Sequence, residues 1–441
     1  MNGGLLIVHR SSRQKVLACW PVVVAMVLLL AACDDWPMVG FDAAHTGYND
    51  TETTISTGNV GGLHEVWTAT TPDQIVSAPS IVGGVAYVGS RDNKLYAFNA
   101  NGTAGCSGKP RKCAPLWSTP NLGGDVVSTP AVANGIVYVG SVGEKMFAFD
   151  AAGVKNCSGA PKVCRPLWSR TMSGDVIASP TVARGVVYVI AADAISDELD
   201  ALDGTTGALR WDAVVDTDLS FTEHSASAVT VSNRTVYAGF NSGDSDIALV
   251  AAFDANGVTG CTGVPITCAP LWTAPLRDAR QERTPVFANA SLFAANDFGL
   301  DVYDPAGVKG CSRTPKTCAP LWSGAAPPAT ATAANGIVFV GNVAFDALGK
   351  TGCSGTPKTC TPLWTNASGA VGAVANGVAY ATSNAAVTAY DAAGKTRCRG
   401  RPTSCTALWS TPVRNPTSPV IANGTLWIGS TDHALHAYRL S

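Results

Sequence analysis

The sequence predicts an all-β fold, an eight-bladed β-propeller of four-stranded antiparallel blades, closed by an N-terminal strand that completes the last blade. Three observations lead there. Short alternating apolar segments recur every 40 to 60 residues, eight tryptophans mark the ends of the units, and six copies of a cysteine-bearing insert such as "TGCSGTPKTCTPLW" (Thr351–Trp364) separate the third segment from the fourth. Glycine (45) and proline (26) are abundant and long apolar runs are few, as in chains of many short strands joined by turns. With 441 residues, 46% hydrophobic and 14% charged, the chain can bury a large core and is neither disordered nor a nucleic-acid coat.

The first residues are of another kind. Arg10, Arg13 and Lys15 precede an apolar stretch, Val16–Leu30, that ends in "LAAC" at Cys33. A charged region, an apolar region and small residues before a break read as a secretory signal. The stretch is short for a spanning helix and is interrupted by Pro21. Leu-Ala-Ala-Cys resembles a bacterial lipobox, whose cysteine becomes the acylated first residue, so Cys33 is the expected lipid anchor. The expected division is therefore a signal over 1–32, an entry segment over 33–62 and the propeller over 63–441. Removing 1–32 leaves 27 basic against 32 acidic residues, a net charge of −5.

One unit reads "STPAVANGIVYVGS" (Ser128–Ser141), "KMFAFDAAG" (Lys145–Gly153), a cysteine loop, and "PLWS": three alternating strands and a fourth that starts at a tryptophan. The fourth-strand series is Trp67, Trp117, Trp168, Trp211, Trp272, Trp322, Trp364 and Trp409, expected to pack between blades and not to line a substrate cage. Trp67, in "LHEVWTAT", precedes any complete unit, while the last unit (Ser418–Leu440) stops after three strands. Leu63–Thr70 therefore supplies the missing strand and leaves no open edge at the join, and it is expected to matter far more to stability than Asp34–Asp50.

Twelve cysteines form six pairs with six residues between members: Cys106/Cys113, Cys157/Cys164, Cys261/Cys268, Cys311/Cys318, Cys353/Cys360 and Cys398/Cys405. In an exported chain such local pairs read as disulfides. Structural zinc is the alternative, but it needs four ligands and no histidine lies near these pairs.

The "VANGIVYVGS" and "AFDAAG…LW" units are similar to the pyrroloquinoline-quinone-type repeat, and "DWPMVGFDAAHTGYN" (Asp35–Asn49) with "NVGGLHEVW" (Asn59–Trp67) resembles the entry segment of quinoprotein dehydrogenases. The resemblance covers nearly all of the chain after residue 33. Blade 3 keeps a short turn, "DGTTGALRW" (Asp203–Trp211), where other blades carry the cysteine loop. In those dehydrogenases the resemblance implies a vicinal disulfide over the quinone, a calcium ion and a catalytic aspartate. This sequence has no adjacent cysteines, so none of those residues carries over and no cofactor is expected, with the quinone and calcium as the alternative.

No catalytic constellation stands out. His45, His64, His224, His433 and His436 lie in no nucleophile or metal motif, and His433 and His436 read as solvated or packing residues. Asp197, Asp200 and Asp203 have some likeness to a calcium loop but lack its spacing and closing glutamate, so no metal site is expected. Two groups remain. Aligned on "ANG", the units place Gln74, Asp125, Asp175, His224, Arg280, Ala326, Ala367 and Arg414 at the start of the innermost strands, where family geometry implies one mouth of the central channel. The cysteine loops and their flanks hold 15 of the 30 basic residues and no acid, among them Lys109, Arg111, Lys112, Lys162, Lys316, Lys358, Arg399 and Arg401. These loops are expected to project from one face and form a basic rim there, with the gap at blades 3 and 4.

The expected function is that of a non-catalytic, extracytoplasmic binding or scaffold lipoprotein, anchored in the bacterial cell membrane and similar in plan to the propeller lipoproteins of the outer-membrane barrel-assembly machinery. The alternative is a divergent quinone-dependent dehydrogenase. The expected partner is an envelope protein or an anionic surface, lipid headgroups or cell-wall polymer, and not nucleic acid.

Overall fold

The computed structural model describes residues 34–192, 197–214, 227–242, 247–276, 283–367 and 369–441. Cys33, His224 and Arg280 lie outside them. Asp34–Ser441 forms a unit of its own, so the entry segment belongs with the propeller.

Eight antiparallel blades follow one another round the ring. Blade 2 shows the plan: an inner strand Ala131–Ala133, a second Ile136–Ser141, a third Lys145–Asp150 and an outer strand Trp168–Thr171. The ladder runs Ile136 to Asp150 through Ser141 to Lys145, so alternate side chains face the blades on either side. Every apolar cluster accordingly lies between neighbouring blades. Tyr87, Leu95 and Trp117 of blade 1, for example, pack on Val132, Val137 and Phe149 of blade 2. The core is a ring of seams around the central axis.

Three successive seams share one joint. Tyr138 on the second strand and Trp168 on the outer strand of blade 2 both donate to the Gly204 carbonyl of blade 3, at 3.1 and 3.0 Å. Tyr188 and Trp211 do the same to Ala255 O, and Tyr237 and Trp272 to Pro305 O. The indole also needs a glycine opposite it. Gly153 has φ +63°, and a Cβ there would lie 2.3 Å from Trp117 Cδ1.

The ring closes as expected. His64–Thr70 pairs antiparallel with Ala434–Arg439 to complete blade 8, with Trp67 edge-on to Trp427 at 5.2 Å. His436, expected to be solvated or packing, instead sits between two carboxylates: its Nδ1 is 2.6 Å from Glu65 and its Nε2 3.1 Å from Asp432. Burial alone would lower the imidazole's pKa, but the Glu65 hydrogen bond and the two negative charges raise it above its usual value.

The six cysteine pairs are disulfides: Cys106–Cys113, Cys157–Cys164, Cys261–Cys268, Cys311–Cys318, Cys353–Cys360 and Cys398–Cys405. The expectation that their loops simply project from the rim needs correction. Each hairpin leans sideways and pairs, in parallel, with the outer strand of the preceding blade: Val163 of blade 2 with Ser118 of blade 1, Thr317 of blade 5 with Thr273 of blade 4, Arg111–Cys113 of blade 1 with Trp67–Ala69 of blade 8. That pairing turns the second cysteine of every pair into the protein. Cys113, Cys164, Cys268, Cys318, Cys360 and Cys405 are all buried and each joins the apolar cluster of a seam, whereas the first cysteine of each pair is only half-buried. The buried sulfurs therefore belong to the core and offer no surface for recognition; the exposed part of each loop is the turn between them. Two outer edges stay uncovered. Blade 3 has no hairpin, so the outer edge of blade 2 is uncovered, and the outer strand of blade 8 comes from the N-terminus, so the edge of blade 7 is uncovered too.

The entry segment departs most from expectation. Trp36 bridges to Ile81 on blade 1, and the carbonyls of Pro37, Ala43, Ala44, Thr46 and Gly47 accept from inner-strand amides of blades 2, 4, 5, 6 and 7 at 2.6–2.9 Å. His45 reaches Thr181 of blade 3 at 2.9 Å, and the Asn49 side chain donates to Ile421 O of blade 8 at 2.8 Å. Fourteen residues, Trp36–Asn49, thus touch every blade. The segment fills the axis at the mouth where the inner strands end, so its loss would undo contacts all round the ring, which gives it a structural weight the sequence reading withheld. Gly47, with φ +65°, allows the approach: a Cβ would lie 2.9 Å from Thr332 Cγ2 and 3.2 Å from Gly372 O. His45 is fully enclosed; burial pushes its pKa down to about 4, and the neutral ring faces Val229 O at 3.0 Å. Burial pushes the Asp42 carboxyl up to about 6, although the amides of Ala44 and Thr46 donate to it.

The joint can be tested at its glycine. Gly153→Ala should cost about 1–3 kcal/mol more than Gly135→Ala, read from urea midpoints; Gly135 has a similar φ of +76° but no atom within 4 Å of the added Cβ, so the difference isolates the Trp117 clash. The ring closure should show itself in pH dependence. With its folded pKa raised, His436 contributes its full stabilisation below the free-imidazole value of about 6.5 and loses it as pH rises through the folded value. The thermal midpoint should fall by about 1–3 °C between neutral and alkaline pH, and His436→Gln should abolish that fall. On the acid side His45 loses stability below about 6.5 while Asp42 gains it, so the two oppose each other.

Candidate functional site

Strand direction defines the two faces. Inner strands start at one mouth and end at the other, where Trp36–Asn49 fills the axis. The channel is therefore blind, and the open mouth belongs to the starts of the inner strands. A cavity of about 500 Å³ lies there, lined by Val76, Ser77, Arg91, Asp125, Val127, Thr129, Val142, Ile177, Ser179 and Ser418, with Val39 of the entry segment among its lining residues. A smaller space of about 100 Å³ lies against the plug, between Trp36, Val39, His45 and Thr332.

The described members of the predicted column hold equivalent places. Gln74 O accepts from Arg91 N, Asp125 O from Val142 N, and Arg414 O from the Ser430 hydroxyl, while Asp175 bridges to Ala192. Ala326 N donates to Phe298 O, and Ala367 follows the outer strand of blade 6. Of the column, Asp125 lines the cavity. Arg91, which faces the same space, was missed because it opens the turn after the second strand, and the alignment followed inner-strand starts alone.

The cavity does not fit a calcium-linked quinone. A hard divalent cation takes six to eight oxygens, several from carboxylates. Here the lining offers one carboxylate, Asp125, together with the cation Arg91, hydroxyls and aliphatic walls. Among the described residues no three of His, Cys, Asp and Glu are grouped to hold a metal.

Two other groups were singled out from the sequence. Asp197, Asp200 and Asp203 lie along one strand, Asp197–Asp203, and not in a loop. Asp203 pairs with Arg210 at 2.7 Å, and that bond holds its pKa down at about 2. Asp200 is buried; burial first, then Glu198 and Asp212, push its pKa up to about 7 against the pull of Arg170 on blade 2. The basic-rim residues lie on the hairpins. Arg111 and Lys162 turn back to donate to Gly102 O and Gly153 O, while Lys109, Lys112, Lys316, Arg399 and Arg401 are exposed and Lys358 half-buried.

Among curated proteins none matches this sequence. The fold is shared with solved structures: BamB from Moraxella catarrhalis (14% identity, 86% of this chain and 99% of that one, TM-score 0.59) and quinohemoprotein alcohol dehydrogenase from Comamonas testosteroni (14%, 92% and 80%, TM-score 0.62). A europium-containing methanol dehydrogenase is similar as well (13%, 92% and 98%, TM-score 0.64). The model of the family described as outer membrane protein assembly factor BamB matches residues 45–153 and 116–296. Those matches span more than half of the 441 residues, and the chain belongs to that family of PQQ-type repeat propellers.

Proposed function

We propose that this protein is a non-catalytic scaffold of the cell envelope, lipid-anchored through Cys33, that holds an envelope protein at the open mouth of its blind channel. The observation that carries the reading is the make-up of that mouth. One acid and one arginine, Asp125 and Arg91, stand over hydroxyl and aliphatic walls, a surface suited to recognition and poor in groups that could move protons or hold a metal. Family membership agrees, since the family is described as an assembly factor. A fold alone does not carry function. The second reading, a divergent quinone-dependent dehydrogenase, draws on the overlay with alcohol and methanol dehydrogenases, whose TM-scores of 0.62 and 0.64 exceed the 0.59 of BamB.

A photo-crosslinker placed at residue 125 in cells should capture an envelope protein, and Arg91→Glu should reduce capture at least about five-fold while leaving the thermal midpoint unchanged, because Arg91 is exposed. Adding pyrroloquinoline quinone and calcium to the purified protein should give no quinone spectrum and no dye reduction with alcohols or sugars. A bound-quinone spectrum with turnover would replace the scaffold by the dehydrogenase.

A further inference from the structure

The face around the plugged mouth carries a chemistry of its own. The third strand of each blade runs toward this face, so every cysteine hairpin emerges there. Seven large apolar side chains are exposed among the described residues, and six of them, Val154, Val258, Val264, Ile266, Val308 and Leu348, lie on these connections. They are well exposed, Val264 at 98% and Val154 and Val258 at 72%. Basic residues are interleaved with them, as in Val154-Lys155 and Val308-Lys309, and no described carboxylate pairs with any of the fifteen hairpin cations.

The loops hold this arrangement in place. At the roots an aspartate turns its carboxylate inward onto backbone amides: Asp150 onto Val154 and Lys155 at 2.7 and 2.9 Å, Asp304 onto Lys309 at 2.7 Å, Asp346 onto Thr351 at 2.6 Å. These acids serve the loop conformation, and the apolar and basic side chains point away from it. The first turns of the blades, on the same face, add Arg184 and Arg234. Asp35 is tied to Gly83 N on this face, and Asp50 is an exposed acid of the entry segment. The opposite face mixes signs, with Asp73, Asp92, Asp125, Glu144, Asp175 and Asp432 beside Arg91, Lys94, Lys145 and Arg414 at its turns and strand starts. Basic charge is therefore concentrated on the hairpin face although the net charge is small.

Exposed apolar side chains set among unpaired cations are what an anionic bilayer surface accepts: the cations meet headgroup charge and the side chains enter the acyl boundary. A soluble polyanion would use the cations and leave the apolar residues in water. The described chain also begins here, because Trp36 bridges to the end of the first inner strand, so Asp34 lies at this face. From these observations we infer that the hairpin face is a membrane-docking face, which seats on anionic lipid by its own side chains and turns the open mouth away from the bilayer.

The test uses the non-lipidated unit 34–441 with its disulfides intact, so that it does not depend on Cys33 or on the mouth's partner. The unit should co-sediment at low salt with vesicles containing phosphatidylglycerol and not with pure phosphatidylcholine. Changing Lys109, Lys112, Lys309, Lys316, Arg399 and Arg401 to Gln should weaken vesicle binding about ten-fold or more. Changing Val154, Val308 and Leu348 to Asn should remove the part of the binding that survives high salt while leaving the thermal midpoint in place, since these side chains are solvent-exposed. Binding to purified anionic cell-wall polymer in preference to the vesicles, absence of vesicle binding at low salt, or vesicle binding unaffected by both sets of changes would overturn the inference.

Discussion

The fold depends on the seam between blades, where seven indoles pack on a glycine of the next blade and, in three seams, a phenol and the indole donate to a single carbonyl, as Tyr188 and Trp211 do to Ala255. Where it occurs, satisfying two buried polar groups with one acceptor lets both aromatic bodies pack in the seam without an unpaired donor. Because this chemistry lies between blades, the apolar core is circumferential and no blade is stable alone. The ring must close on itself, and it does so with a strand from the other end of the chain.

The same logic accounts for the cysteine hairpins. Edge strands present unpaired amides to solvent, and a ring of eight blades has eight outer edges. Six are covered by the hairpin of the following blade, whose backbone carbonyl takes up a free amide such as Ser118 N or Thr273 N. Each disulfide holds a short loop in that position and removes chain entropy worth about 2–3 kcal/mol in the loop-closure description. Its inner sulfur, as at Cys164 and Cys318, extends the apolar seam outward to the hairpin. Placing the hairpins there also gives the molecule a face, and the loop residues left over from edge pairing are free to carry charge and apolar side chains outward.

Much of this was legible in the sequence because it is local and repeated. Period-two alternation, the tryptophan series and the fixed cysteine spacing are each confined within one unit, and the incomplete first and last units announced the closing strand. What stayed hidden is what joins distant residues without a period. The parallel pairing of Val163 with Ser118 crosses from one unit to another, and nothing in "PKVC" marks its partner, so the burial of Cys164 beside it was hidden too. The entry segment Trp36–Asn49 has no strand pattern, and its partners are spread from Ile81 to Ile421. Glu65 and His436 meet across 371 positions, so the histidine's environment could not be read from its neighbours. At the mouth, Asp125 of the inner-strand column lines the cavity, but Arg91 enters from a different strand and was not in the column.

The two faces therefore differ for structural reasons: one is filled by the entry segment and ringed by hairpins, the other is open. If the channel is blind, the amides of Val132, Val231, Phe287, Ala333 and Val374, which bond to the plug, are as protected as the blade ladders. Native-state hydrogen exchange measures this directly. Exchange of those five amides only through global unfolding, with the same free energy as Val137 and Val139 in the second strand of blade 2, is the predicted result. Their exchange through a separate local opening, while Val137 and Val139 stay protected, would mean that the axis is open at both ends and that the division of the molecule into a closed and an open face is wrong.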